Sequence, residues 1–559
     1  MSITRELPSS VIDAPALRRR RDVRRVRYTF TVGVIATAIG LVAGVVSMRS
    51  GVAVSYADSD AHLTIARRLW DGEAPGLGQL GTVWLPIPHL LLAPFTLVAL
   101  IDPDLWRLGL PGVLLSSVCL GVTAAALFRI MRRMGITSLV VATVGLAVFV
   151  LNPAILLLHS TAMTEPVLLA GVAMATSGIS GFIASERPLS GGEMLVYVGL
   201  PTGLAVGSRY DGWGFAAAAT LAVAWLAHKR WRSWRYTVRT TIGVILPSVM
   251  VATWWVVVNW VQHGDILAFQ RGPYSAQFQQ EQLESLDLLP TKGSLWVSLD
   301  TYAWTAWYAL GGVAVILTLA GLAAALIREP FSARTLPMWL LTFTFPFYVL
   351  LLTAGQSVIK HAMTTPPGLF NIRHGAPLAL VSALAVAYLA QSLADPVAER
   401  ISARRTGTWL ARRAAVVAAG IVGAPLLALT LAGYATAAGP GISESPALAE
   451  VEQITEDRSD LDAATQFLRA RLEPGQTVLI DESVNPSLTA LGIDFDSVSA
   501  RFTPDFESQL RDPTADWVLC RTGPGADEVC RAAATEPLFA QRYSLAFRSG
   551  DRVVLQRVE

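Results

Sequence analysis

A chain of 559 residues that is 53% hydrophobic and only 15% charged departs from soluble globular composition, in which roughly 25% of residues carry charge. The deficit is gathered in repeated apolar blocks of about the 20 residues that a spanning helix needs, so a polytopic α-helical membrane protein is expected. A formal net charge of +2, with basic residues clustered locally rather than spread over one face, argues against a nucleic-acid partner.

Arg18 to Arg21, Arg24, Arg25 and Arg27 precede an apolar run over 28–48. The run is too long for a signal-peptide core and no persuasive cleavage site follows it, so it reads as a retained anchor with residues 1–27 in the cytoplasm. Further basic clusters stand at Arg129, Arg132 and Arg133, from His228 through Arg239, at Arg328 and Arg334, and from Arg400 to Arg413. The loop 185–193, with Arg187 alone, fits the same side. Placing all of them inside predicts about eleven crossings, near 28–48, 105–130, 139–158, 166–184, 194–207, 214–227, 240–261, 302–327, 336–353, 376–393 and 414–434. An odd number puts the C-terminus outside, as expected of a multi-pass plasma-membrane protein.

Segment 85–101 is apolar but holds Pro86, Pro88 and Pro94, and both of its ends must lie outside. It is expected to be juxtamembrane or re-entrant, sheltered by protein or a water-filled cavity. The run 194–227 is too long for one crossing helix, and each half is short for one. A break at Ser208-Arg209-Tyr210-Asp211-Gly212-Trp213 therefore belongs below the outer surface, with Arg209 and Asp211 either functional or a structural pair.

The tail 441–559 changes character, with 21 acidic and 11 basic residues. Helix signals at Ser445-Pro446 and over 461–472 accompany strand signals at 477–480, 517–520, 543–547 and 552–558, so a small extracytoplasmic α/β domain is expected. No phosphate loop, metal-ligand spacing or nucleophile elbow stands in it. Cys520 and Cys530 are open to a disulfide or two buried thiols, while Cys119, in an apolar run, reads as a small core residue.

Two carboxylates and an imidazole, Asp58, Asp60 and His62, lie just past the first apolar run. The topology gathers around them His89, His159, Glu165, Arg209, Tyr210, Asp211, Lys360, His361, Asn371, Arg373 and His374, all on the outer face. Carboxylates beside cations at a membrane surface suit the transfer of a sugar from a lipid-linked phosphate to a hydroxyl. A carboxylate takes the hydroxyl's proton, guanidinium groups hold the departing phosphate, and fixed cations stabilise its charge. Other readings stay open. Asp60 suits a helix cap, Glu165-Pro166 a helix start, and the histidines hydrogen-bonded structural roles. Asp58, Asp60 and His62 would make a thin divalent-cation site.

The acidic pair Asp58-Ser59-Asp60 in the first outer loop is followed by the Pro-rich stretch Trp84-Leu85-Pro86-Ile87-Pro88-His89. Glu165 then opens the next outer loop, and Arg209-Tyr210-Asp211-Gly212-Trp213 and Asn371-Ile372-Arg373-His374 follow. In this order the motifs resemble the GT-C superfamily of polyprenyl-phosphate-sugar glycosyltransferases, which includes protein O-mannosyltransferases and aminoarabinose transferases. The resemblance covers roughly the first 400 residues in topology and departs at His374, where Tyr is expected. It implies a transmembrane glycosyltransferase domain over 28–435 and a polyprenyl-phosphate sugar donor, mannosyl or arabinosyl in the named relatives. By the same resemblance the expected acceptor is a glycan, lipid or protein hydroxyl, and the expected transfer is inverting.

The resemblance also implies roles. Asp58 is the base, with Asp60 and Glu165 as further catalytic acids. Arg209 and Arg373 bind the donor phosphate, with Lys360 and His361 beside them, and His62, His89, Tyr210, Asp211 and His374 line the cavity. No organic cofactor is implied, and a divalent cation at Asp58, Asp60 and His62, which some relatives use, stays open. A transporter of lipid-linked saccharide is the alternative, but transporters hold their charges near the midplane in related halves, and no internal repeat is visible here.

Overall fold

The computed structural model describes residues 14–81, 83–272, 275–286, 288–330, 332–402, 408–436 and 445–558. Residues 1–13 of the basic N-terminus, Arg404 and Arg405 of the last basic cluster, and residues 441–444 of the expected C-terminal domain lie outside the described residues.

The chain is a polytopic α-helical membrane protein. Among the described residues seven helices are long and apolar enough to cross a bilayer. They are Val26–Arg49 (the apolar part of α1, Ala14–Arg49), Leu110–Arg133, Glu165–Ala184, Trp234–His263, Leu336–Thr353, Leu378–Ile401 and Arg413–Ala435. The Leu378–Ile401 helix is 78% buried and α1 only 17%, so the first is the bundle's axis and the second lies at its rim.

The remaining expected crossings differ in form, each for a local reason. Residues 302–327 are not one helix: Leu295–Leu310 and Gly312–Arg328 meet at 108°, because Gly311 between them has φ 79°, a value side-chain-bearing residues avoid. Residues 139–158 divide into Leu139–Val150 and Pro153–Leu158. The Asn152 Oδ1 accepts from the Ile155 N–H at 3.1 Å, and Pro153 fits the first turn of a new helix. The run 194–227 breaks where expected. Its first part holds a π turn, Leu195–Gly199, followed by Leu200–Val206, and its second part is the longer helix Asp211–Trp231.

Between α1 and the Leu110–Arg133 helix lie α2 (Ala57–Arg68) and α3 (Ile87–Thr96). With the 3₁₀ turn Leu97–Leu100, α3 reaches roughly 20 Å, short of the ~30 Å hydrocarbon core. It seats on the break: the Ile87 N–H donates to Gly207 O at 3.0 Å. A Cβ on Gly207 would meet Ile87 Cγ1 at 2.2 Å, so only glycine allows this approach.

The C-terminal unit opens with helices Pro446–Asp457 and Ser459–Arg469. Its five strands are β1 (Val478–Ile480), β2 (Val498–Ser499), β3 (Trp517–Arg521), β4 (Tyr543–Ser549) and β5 (Arg552–Arg557). The sheet order is β2-β1-β3-β5-β4, parallel through β2, β1 and β3 and antiparallel at β5 and β4. The two-residue β2 is too short for a period-two pattern, which is why the sequence does not announce it. Cys520 and Cys530 are disulfide-bonded, and Cys119 is buried.

This unit docks on α2. The Arg67 guanidinium lies 4.6 Å from the ring centroids of both Trp106 and Phe495 and pairs with Asp71 and Asp494. Arg68 covers Phe502 at 4.5 Å. The Arg458 Nη1 donates to Ser55 O at 3.2 Å, one residue before Tyr56. A cation between two aromatic faces in a buried seam is a strong, directional joint.

Candidate active site

The Asp58 and Asp60 side chains are two residues apart in the first turn of α2, hence about 200° apart around the helix. They face different things. Asp58 Oδ2 accepts from Arg373 Nη2 at 2.6 Å, whereas Asp60 Oδ1 accepts from the Thr489 N–H of the C-terminal unit at 3.0 Å and is 3% exposed. Burial raises the Asp58 carboxyl, but Arg373, His62 and Arg209 outweigh it and hold it below its usual value. Burial dominates at Asp60 and raises it.

Glu165 joins two arginines. Placed in the first turn of its helix, with Pro166 next, it sits where the helix dipole favours an anion. Its Oε1 accepts from Arg209 Nη1 at 2.9 Å and lies 3.4 Å from Arg373 Nε. Arg209 comes from the break between helices and Arg373 from the 3₁₀ turn Ile372–Gly375, more than 160 residues apart in the chain. The Arg209 Nε donates to Asp211 Oδ2 at 3.1 Å, and the Tyr348 hydroxyl donates to the same oxygen at 2.6 Å.

His374 closes the ring. Its Nε2 lies 3.4 Å from Arg209 Nη2; since arginine only donates, this nitrogen accepts and the ring is neutral. Its Nδ1 faces Ser357 Oγ at 3.3 Å. Burial, reinforced by Arg209 and Arg373, pushes His374 down to about 3. His62 and His89 form a separate pair beside this cluster, Nδ1 to Nε2 at 2.9 Å, with Trp84 edge-on to His62 at 4.9 Å. Burial holds His62 down to about 4. Tyr210 is turned aside: its hydroxyl donates to Val83 O at 2.9 Å and its ring stacks on Phe269.

The structure thus brings together Asp58, Glu165, Arg209, Asp211, Arg373 and His374. It places the other expected residues elsewhere. Lys360 forms a bridge with Phe370 through both backbone groups and lines a cleft of about 460 Å³ with Asp300 and Trp296. The His361 Nδ1 accepts from the Met363 N–H at 3.2 Å, and its Nε2–H donates to Thr301 O at 3.0 Å. Both of its nitrogens are occupied by backbone. Tyr348, Ser357 and Tyr302, whose hydroxyl donates to His374 O at 3.0 Å, were not anticipated. A hydroxyl inside an apolar run is the one signal that would have found Tyr348, because a buried tyrosine seeks a partner.

Asp58, Asp60 and His62 do not converge on one point, as their different partners require. Among the described residues the one group of three metal-type side chains is Cys520, Asp527 and Cys530, and its sulfurs are bonded to each other. A disulfide has no thiolate to offer a metal.

No protein-family model matches the chain, and no curated protein matches its sequence. Its structure is similar to that of ArnT from Cupriavidus metallidurans bound to undecaprenyl phosphate, with a TM-score of 0.53 at 13% identity, over 94% of this chain and 98% of that one. The oligosaccharyltransferase of Archaeoglobus fulgidus in its apo form aligns with a TM-score of 0.48 at 12% identity, over 93% and 73% of the two chains. The ArnT likeness is one of fold, and it runs over nearly the whole length of both chains. At 94% coverage it also reaches beyond the first 400 residues into the C-terminal unit, for which the sequence suggested no relative.

Proposed function

We propose that this protein is a GT-C-type glycosyltransferase that moves a sugar from a polyprenyl-phosphate donor to an acceptor hydroxyl at the outer face of the membrane, with inversion at the anomeric carbon. One observation carries the reading: two arginines from distant segments are turned onto one buried carboxylate, with Asp58 paired to one of them, Arg373. Such an arrangement holds a phosphate with charge-assisted bonds and sets a carboxylate beside it. The acceptor oxygen attacks the anomeric carbon and its proton passes to Asp58. The carbon–oxygen bond to phosphate breaks, and the electron pair leaves as polyprenyl phosphate held by Arg209 and Arg373. Glu165, Asp211 and Tyr348 fix the arginines rather than touch substrate.

The C-terminal unit contacts both segments that carry the Asp58–Arg373 pair, through the Thr489 N–H on Asp60 and through Glu450 on the Asn371 N–H. The structurally similar ArnT is bound to undecaprenyl phosphate, and a lipid phosphate is the donor class assigned here. The test is titration of the purified protein in nanodiscs with undecaprenyl phosphate, beside transfer assays with labelled polyprenyl-phosphate pentoses and hexoses. Arg209→Ala and Arg373→Ala are each expected to weaken lipid binding at least tenfold. Unchanged binding in both, or flipping of the lipid-linked sugar in acceptor-free proteoliposomes with no product from any donor, overturns the reading in favour of transport.

A further inference from the structure

The turn that presents Arg373 and His374 is not held by the membrane helices alone. Asn371, its first residue, has φ 59° and ψ 28°, the left-handed region that asparagine tolerates better than other side-chain-bearing residues but still at some cost. Two contacts keep it there. The Asn371 side-chain amide donates to Val358 O at 2.9 Å, and the Asn371 N–H donates to Glu450 Oε1 at 2.7 Å. Glu450 belongs to the Pro446–Asp457 helix, the first element of the C-terminal unit, and is only 3% exposed. A buried carboxylate lying this close to a strained backbone N–H, two residues before an arginine of the site, is more than a docking contact. The partner of that arginine is held from the same side. Asp58 rides on α2, and α2 is tied to the unit by the Thr489 N–H on Asp60 and by Asp494 on Arg67, while Arg458 holds Ser55 O just before it.

We propose that the C-terminal unit completes the site, with Glu450 as the positioning residue that fixes the Asn371 turn and thereby aims the Arg373 guanidinium. The proposal rests on the glycosyltransferase reading of Arg373, and it makes the α/β unit part of the donor site rather than an appended module. Glu450 touches no reacting atom. It acts through Arg373, so its loss costs donor binding and leaves the acceptor's KM unchanged.

A double-mutant cycle in the full-length protein tests this, with Kd for undecaprenyl phosphate and KM for donor and acceptor as readouts. Glu450→Ala is expected to weaken phosphate binding five- to tenfold. Glu450→Gln, which keeps an oxygen where the Asn371 N–H points, is expected to stay within twofold of the parent. In an Arg373→Lys background, itself weakened, Glu450→Ala is expected to add less than twofold. Should Glu450→Ala fail to fold, Glu450→Asp, one methylene too short, takes its place in the cycle with a smaller loss of the same kind. Parental binding in Glu450→Ala, a loss repeated in full in the Arg373→Lys background, or a Glu450→Gln variant as weak as Glu450→Ala overturns the proposal. Unchanged binding in Arg373→Lys alone would instead overturn the assignment of the phosphate site, so the two failures are told apart.

Discussion

Asp58 and Asp60 look interchangeable in sequence, and their replacement by asparagine separates them. Asp58→Asn keeps the size of the side chain and an oxygen for Arg373 but removes the proton acceptor. A general base contributes about 10²–10⁴ in rate, or roughly 3–5 kcal/mol of barrier, so transfer is expected to fall by at least a hundredfold. Stability changes little, because the asparagine oxygen still accepts from Arg373, which keeps Glu165 beside it. Asp60→Asn is expected to be nearly silent in transfer and in Tm, since its amide oxygen still accepts from the Thr489 N–H. Asp60→Ala leaves that N–H buried without a partner, costing about 1–3 kcal/mol, and lowers Tm. The assay is transfer of labelled sugar from polyprenyl phosphate in membranes at matched protein levels, with Tm measured in detergent. Transfer by Asp58→Asn within threefold of the parent, or a hundredfold loss in Asp60→Asn, would refute the reasoning.

Acid is expected to destabilise the protein through His62. Burial holds it down to about 4, so between pH 6.5 and 4 the unfolded chain binds a proton that the folded one refuses. Stability is present above pH 6.5 and falls as pH drops through that window, by on the order of 3 kcal/mol; Tm against pH should show a shallower slope in His62→Asn. Cys520→Ser with Cys530→Ser opens a ring closed over ten residues of chain, which should cost about 2–3 kcal/mol and appear as earlier proteolysis within 478–557 under non-reducing conditions.

Much of this architecture was legible in the sequence because it follows from length and charge. A 34-residue apolar run with an Arg-Tyr-Asp interruption cannot be one crossing helix, and three prolines in segment 85–101 forbid another. The Gly311 bend was not legible, since one glycine inside an apolar run marks a sharp turn only when its backbone adopts positive φ. The site was half legible. Its motifs stand in order along the chain, and their order carries the resemblance. What sequence cannot supply is direction around a helix and partnership across a fold. Asp60 points away from Arg373 only because it is two residues further round α2. Lys360 and His361 are near Arg373 in sequence, yet the bridge between Lys360 and Phe370 carries Lys360 to the neighbouring cleft, and His361 is buried with both ring nitrogens on backbone groups. Glu450 gives no signal at all, being one acid among many in an acidic tail, and its partner is a backbone N–H.

The charges of the cluster say which contact gives way when a donor arrives. Asp58, Glu165 and Asp211 face Arg209 and Arg373, and His374 is neutral, so the ligand-free site already has more anions than cations. A phosphate must therefore take a guanidinium from a carboxylate. Glu165 and Asp211 have side chains only 3% and 15% exposed and are fixed on both arginines or by Tyr348, whereas Asp58 is 34% exposed and holds Arg373 alone. Asp58 is the carboxylate to yield. Once displaced it loses its cation and gains an anion as neighbour, and both changes raise its proton affinity. The carboxylate that Arg373 holds below its usual value in the free protein thus becomes a better base when donor is bound. The acid limb of kcat, which reports the complex, should accordingly lie at higher pH than that of kcat/KM for donor, which reports the free protein. Coincident limbs, or a kcat limb at lower pH, would mean that Asp58 keeps its hold on Arg373 through turnover and that the base lies elsewhere.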